Sequence, residues 1–289
     1  MANQNLLNFR IAHHKALLWF VASIITLGSA VYQRVTGPTY PVRGKINIGT
    51  NTISFKLLRS EIVSKKAAII LDVPDTTISG YVQFRRYKSY DDWTIVPFQR
   101  LNHKLVAYLP HQPPAGKLLY FVWLENGNRK VSLTGKKPVI LRYKGAVPAA
   151  ILIPHVLLMF LAMLFSNRTA LEALDTRGNP HKYILWTIGL FFIGGLILGS
   201  LVQKYAFGQF WTGIPLGYDL TDNKTLLVTL GWIWAWIKNR DRKNGRGWIL
   251  LAAVLTLLVY LIPHSLLGSE LDYTKLHPSP SDGGCYRMP

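Results

Sequence analysis

The chain has 289 residues, of which 49% are hydrophobic, and carries a formal net charge of +19. Its length allows one or two domains, and its apolar residues gather into long runs, which excludes an ordinary soluble globular domain. The lone Cys285 excludes an intramolecular disulfide.

Residues 1–33 read as a cytoplasmic tail and a first transmembrane helix, with the apolar run ALLWFVASIITLGSAV at 16–31 and Arg10 and Lys15 before it. Gly28-Ser29-Ala30 has the look of a signal-peptide cleavage site. The preceding basic region is long and the apolar run exceeds a usual signal core, so a retained anchor is expected.

Residues 34–146 change character. Short alternating runs follow one another: GKINI, TISFKLL, AAIILDV, GYVQF, LVAYL, LLYFVWL, KVSL and VILRY. Turn residues separate them, with Asn126-Gly127 as a hairpin signal. This pattern predicts an extracytoplasmic all-β sandwich. The segment has 19 Lys/Arg against 6 Asp/Glu, a net +13. An anionic partner is the functional reading of that charge: lipid headgroups, an acidic envelope polymer or an acidic protein. A solvated basic surface is the plain alternative, and it also accounts for Arg85-Arg86-Tyr87-Lys88 with Tyr90. No nucleic-acid motif is present, and no nucleic acid is expected as a partner.

Residues 147–268 hold three more apolar runs, at 147–165, 183–202 and 248–267, and a shorter one at 225–237. The short run can cross a bilayer if its helix starts near Thr221 and Lys224 snorkels. The expectation is therefore five transmembrane helices, with a long outer loop at 203–224 and a C-terminal tail at 269–289. The loop 238–247 has five Lys/Arg and one acid, and Arg168, Arg177 and Lys182 mark 167–182 as a second inner loop. Both place the N-terminus in the cytoplasm and residues 34–146 and the C-terminus outside, in a cytoplasmic (inner) membrane.

Two segments repeat: LIPHVLL at 152–158 and LIPHSLL at 261–267. His155 lies about 12 Å below the outer end of its run at ~1.5 Å per residue. His264 lies about 24 Å from the inner end of its own, roughly 6 Å short of the outer edge of a ~30 Å core. Similar depth on antiparallel helices is what a shared site requires. Pro154 and Pro263 would free the carbonyls of Ala150 and Val259. Asp219, Asp222, Glu270 and Asp272 fall on the same outer side. Gly194, Gly195, Gly199 and Ser200 form a small face suited to close helix or ring approach.

Three classes compete for this constellation. His155 and His264 could be axial ligands of a b-type haem. One or both could join Asp219, Asp222, Glu270 or Asp272 in a metal or proton site of an enzyme or transporter. Each could instead bond a freed carbonyl or a neighbouring helix in an anchored, non-catalytic subunit. The third reading, a multi-pass subunit or scaffold of an envelope complex with membrane lipids and a protein as partners, is the one adopted. No nucleotide-binding loop, HExxH or CxxC pattern points to an enzyme.

Two resemblances accompany this reading. The stretch PPAGKLLYFVWLENG resembles the late strand of a fibronectin type III or related immunoglobulin-like module. It implies that Tyr120 is the corner tyrosine and Trp123 a core residue, in a binding or spacer module for residues 36–145. TGPTYPVRG and FWTGIPLGYDLTDNKT resemble segments of uncharacterised multi-pass bacterial membrane proteins, which implies no activity.

Overall fold

The computed structural model describes residues 2–49, 51–175, 178–240, 245–263 and 268–276, with backbone alone for 2–13 and 276. They divide into two compact units. One is helical, drawn from the chain up to Pro38 and from Val147–Gly268; the other is built on β-strands, from Thr39–Ala146 and from Ser269 onward.

The helical unit contains α1 (Ala2–Thr36), α2 (Ala149–Leu174), α3 (His181–Leu190), α4 (Gly199–Phe207), α5 (Leu220–Lys238) and α6 (Arg246–Leu261). A π-helical segment, Phe191–Leu198, joins α3 to α4. Three stretches are long and apolar enough to cross a membrane: His14–Thr36, Ala149–Leu174 and the continuous His181–Phe207. At ~1.5 Å per residue each exceeds the ~30 Å of a hydrocarbon core.

This corrects the expected five spans to three. α5 is 19 residues long, but its first turns carry Thr221, Asp222, Asn223, Lys224 and Thr225. α6 has 16 residues, short of the ~20 needed. It stops because Pro263 bars its predecessor from helical geometry; Ile262 is extended, at φ −74° and ψ 118°. The two prolines thus occupy different places in their helices. Pro263 ends α6, whereas Pro154 lies in the second turn of α2, which continues to Leu174. A second correction concerns Arg168. It is not in an inner loop but inside α2, and it is fully buried.

The β unit has eleven strands: β1 (Val42–Ile48), β2 (Asn51–Leu57), β3 (Ser60–Ile62), β4 (Ala67–Asp72), β5 (Ser79–Arg86), β6 (Thr94–Pro97), β7 (Gln99–Leu101), β8 (Lys104–Leu109), β9 (Lys117–Asn126), β10 (Arg129–Ser132) and β11 (Val139–Lys144). Each of the eight alternating runs forms a strand. The three short strands, β3, β6 and β7, have no alternating apolar run to announce them. The largest sheet is ordered β3-β11-β9-β5-β6, with β10 also paired to β9. The β1-β2 and β4-β8-β7 sheets complete the unit. All three share one apolar core that includes Ile53, Leu57, Ile69, Leu71, Leu118, Val122 and Leu141. The β9–β10 hairpin turns at Gly127, whose φ of +55° suits a residue without Cβ.

Side-chain parity along β9 corrects one expectation. Leu118, Tyr120, Val122 and Leu124 are buried while the residues between them are not. Tyr120 is indeed in the core, and its hydroxyl donates to the Leu58 carbonyl at 2.7 Å. Trp123, three residues on, must point to the opposite face. It does so, stacking on Tyr81 across the strand pair.

A segment from beyond α6 closes the β unit. Leu271 N–H donates to the Ala115 carbonyl at 3.1 Å, and Thr274 N–H, in the one-turn helix α7 (Tyr273–Leu276), donates to the Lys88 carbonyl at 3.1 Å. The Tyr273 hydroxyl donates to Gln112 Oε1 at 2.7 Å, and Arg86 lies 4.7 Å over the Tyr273 ring. Glu270 pairs with Lys88 and, at 2.6 Å, with Lys117. Burial pulls the Glu270 carboxyl upward, but hydrogen bonds from Lys117 and Lys88 outweigh it and hold it below its ordinary 4.5. A lowered folded-state pKa gives stability that is present above the ordinary value and lost as pH falls through the lower one. In the full chain, Glu270→Gln is expected to speed amide exchange around Ala115–Leu118 at neutral pH. The gap from wild type should close as pH drops below about 4.5; a gap independent of pH would contradict the assignment.

Candidate functional site

The polar groups buried in the helical unit are the place to look for chemistry, because burying an unpaired polar group costs on the order of 1–3 kcal/mol. Most of them have partners, and these show what each is for; Ser166 Oγ and Arg168 Nε and Nη1 are buried without a hydrogen bond among the described residues.

His155 faces the π segment. Its Nδ1 lies 2.8 Å from the Gly194 carbonyl oxygen, so Nδ1 donates. The same carbonyl receives the Gly199 N–H, one residue further along than in an α-helix. The widened turn offers an oxygen, and the imidazole of α2 takes it up. Glycine at 194 and 195 is required by close approach: a Cβ would come 2.8 Å from Leu158 Cβ at the first and 2.5 Å from Thr225 Cγ2 at the second. A Cβ at Gly199 would be 3.6 Å from His155 Cε1. The glycine face expected to admit a ring is therefore filled by side chains of α2 and α5.

The acids do not gather around this histidine. Asp219 caps α5, accepting from Thr221 N–H at 2.8 Å. Asp222 accepts from Thr212 N–H at 2.7 Å and from the Thr212 hydroxyl at 3.1 Å, fixing the loop before α5. Glu270 and Asp272 belong to the β unit, where Asp272 accepts from Thr274 N–H at 3.1 Å and from its hydroxyl at 2.5 Å. His264 lies outside the described residues. Among the described residues, no group of three His, Cys, Asp or Glu side chains is arranged to hold a metal.

Sequence reasoning assigned Lys224 to snorkelling. It is instead buried, and its Nζ donates to the Ile262 carbonyl at 3.0 Å and reaches that of Pro263 at 3.4 Å. A cation at the negative end of α6 also meets the helix dipole favourably. Gln33 of α1 donates to the neighbouring Tyr260 carbonyl at 2.8 Å, and the Tyr260 hydroxyl donates to the Met159 carbonyl of α2 at 3.2 Å. These side chains line a cavity of about 20 Å³, room for roughly one water molecule.

A second cluster sits at the C-terminal end of α2. Arg168 Nη2 is 2.6 Å from Glu172 Oε2, and the guanidinium lies 5.5 Å over Trp19 and 4.8 Å over Tyr183. Glu172 also accepts from Asn179 N–H at 3.0 Å. Asn167 donates to the Thr26 hydroxyl of α1 at 3.0 Å. Arg246, at the start of α6, donates to the carbonyls of Ala173 and Gly178, both at 3.2 Å, and to that of Asp175. The spacing of Arg168 and Glu172 at i,i+4 was available in the sequence. Their burial was not, because an Arg-containing SNRT segment after an apolar run reads as the start of a loop.

No family of known proteins, curated protein or solved structure matches the chain.

Replacing Lys224 by Met is expected to cost about 1.5–3 kcal/mol of stability in detergent, since charged hydrogen bonds to carbonyls are lost. At His155, Gln should retain more stability than Leu, because an amide can still donate toward Gly194. Thermal unfolding of the purified chain measures both; equal loss for His155→Gln and His155→Leu would contradict the carbonyl-bonding role.

Proposed function

We propose that the chain is a membrane-anchored, non-catalytic subunit or scaffold of an envelope complex. The helical unit holds it in a cytoplasmic membrane, and the basic β unit is displayed on the outer side. The observation that carries this reading is the use made of the buried charges in the helical unit. Arg168, Glu172, Asp219, Asp222 and Lys224 each bond a backbone group or one another within the unit. Lys224 joins α5 to the end of α6, Glu172, Asp219 and Asp222 fix loops and a helix start, and Arg168 pairs with Glu172 in its own helix while lying over the rings of Trp19 and Tyr183, uses that suit an anchor. The net +13 of residues 34–146 is where the chain offers itself to a partner. An immunoglobulin-like sandwich remains our reading of the β unit's architecture, and it implies a binding or spacer role, not chemistry.

The orientation rests on the basic residues around 238–247, which favour the cytoplasm. With Cys285 replaced by Ser, a cysteine at Lys104 should label with an impermeant reagent from outside, and one at Arg240 should not. Both positions are exposed in their own units. The chain should leave the membrane with detergent but not with alkaline carbonate. The reverse labelling pattern, or carbonate extraction, would overturn this reading.

A further inference from the structure

The outer face of the largest sheet carries an unbroken row of aromatic rings. Parity on β5 and β9 places Tyr81, Phe121 and Trp123 on the face away from the core. Tyr81 stacks on Trp123 with centroids 6.5 Å apart and planes at 24°. Trp123 meets Phe121 at 6.3 Å, and Phe121 meets Trp93, just before β6, at 5.4 Å. All four rings are partly exposed.

Cations stand over both ends of the row. Lys130 Nζ is 4.7 Å from the Tyr81 ring centre and 5.3 Å from that of Trp123. The Arg85 guanidinium is 4.8 Å from the ring centre of Trp93. Glu125 opposes Lys130 across β9–β10 at 3.5 Å, so it offsets that charge in part. Arg85 Nε and Trp123 Nε1 are buried and have no hydrogen-bond partner among the described residues. The row therefore combines aromatic rings and positive charge.

We propose that this face binds an acidic polysaccharide, with sugar rings stacking on the aromatic row and carboxylates meeting Arg85 and Lys130. Charge complementarity favours an anion, since the surrounding segment is strongly basic. A chain of rings side by side suits a linear polymer whose rings recur at short intervals. Aromatic platforms flanked by cations hold another linear polyanion, single-stranded nucleic acid, by the same combination of stacking and charge. A lipid surface fits less well, because the rings are partly buried in the sheet face instead of projecting from it. This inference concerns the β unit alone and does not depend on the membrane orientation.

The test uses the full chain held in phosphatidylcholine nanodiscs, with oligogalacturonate, its fully methyl-esterified form, single-stranded oligothymidylate and vesicles containing phosphatidylglycerol. Oligogalacturonate should bind at least tenfold more tightly than the neutral ester, oligothymidylate or the vesicles. Lys130→Gln, which alters an exposed side chain, should weaken it severalfold, and Trp123→Ala about tenfold or more. Methyl ester binding as well as the acid would overturn the proposal, as would tighter binding of oligothymidylate or vesicles. Unchanged affinity in Lys130→Gln, or in Trp123→Ala with its melting transition retained, would do so too.

Discussion

A backbone carbonyl in an apolar environment must find its hydrogen-bond donor inside the protein, and in the helical unit this requirement decides where polar residues are placed. Regular helix meets it by itself. It fails at a proline, at a π turn and at a helix end. At three such places among the described residues a side chain from another helix adds a donor. His155 serves the π turn at Gly194, Lys224 and Gln33 serve the end of α6, and Arg246 serves the end of α2. The helices are thereby joined by bonds that also repair one another.

This arrangement explains why polar residues that look like a site in the sequence are dispersed in the structure. A capping side chain is dictated by the local defect it repairs, so its neighbours are carbonyls and not other titratable groups. Asp219 and Asp222 stay beside the loop and helix start they organise. Glu270 and Asp272 leave the helical unit altogether and fasten a returning segment to Lys88, Lys117 and Thr274 of the β unit. The surface proposed to act is the basic, aromatic-lined sheet face of the β unit.

Much of this was legible in the sequence. Period-two alternation marks the eight principal strands, and long apolar runs mark α1, α2 and the α3–α4 helix. The errors have definite causes. Apolar run length overstated the span count because Pro263 stops α6 inside its run and α5 begins in a polar segment. Arg168 was read as a loop residue because arginine after an apolar run usually reaches water; here Trp19, Tyr183 and Glu172 enclose it. Trp123 was assigned to the core although it lies three residues from Tyr120, an odd spacing that puts the two on opposite faces. The strand β3 and the edge strands β6 and β7 carry too few residues for a pattern. The partners of His155 and Lys224 depend on helix packing, which residue spacing does not encode.

The central claim, that the chain is a non-catalytic anchor, implies that His155 serves the Gly194 carbonyl and not a cofactor. An absorption spectrum of the full chain, purified in detergent and reduced, with metal analysis of the same sample, tests it most directly. The account predicts no Soret band and no stoichiometric metal. A Soret band or a bound metal that disappears in His155→Ala, with the fold retained, would contradict it.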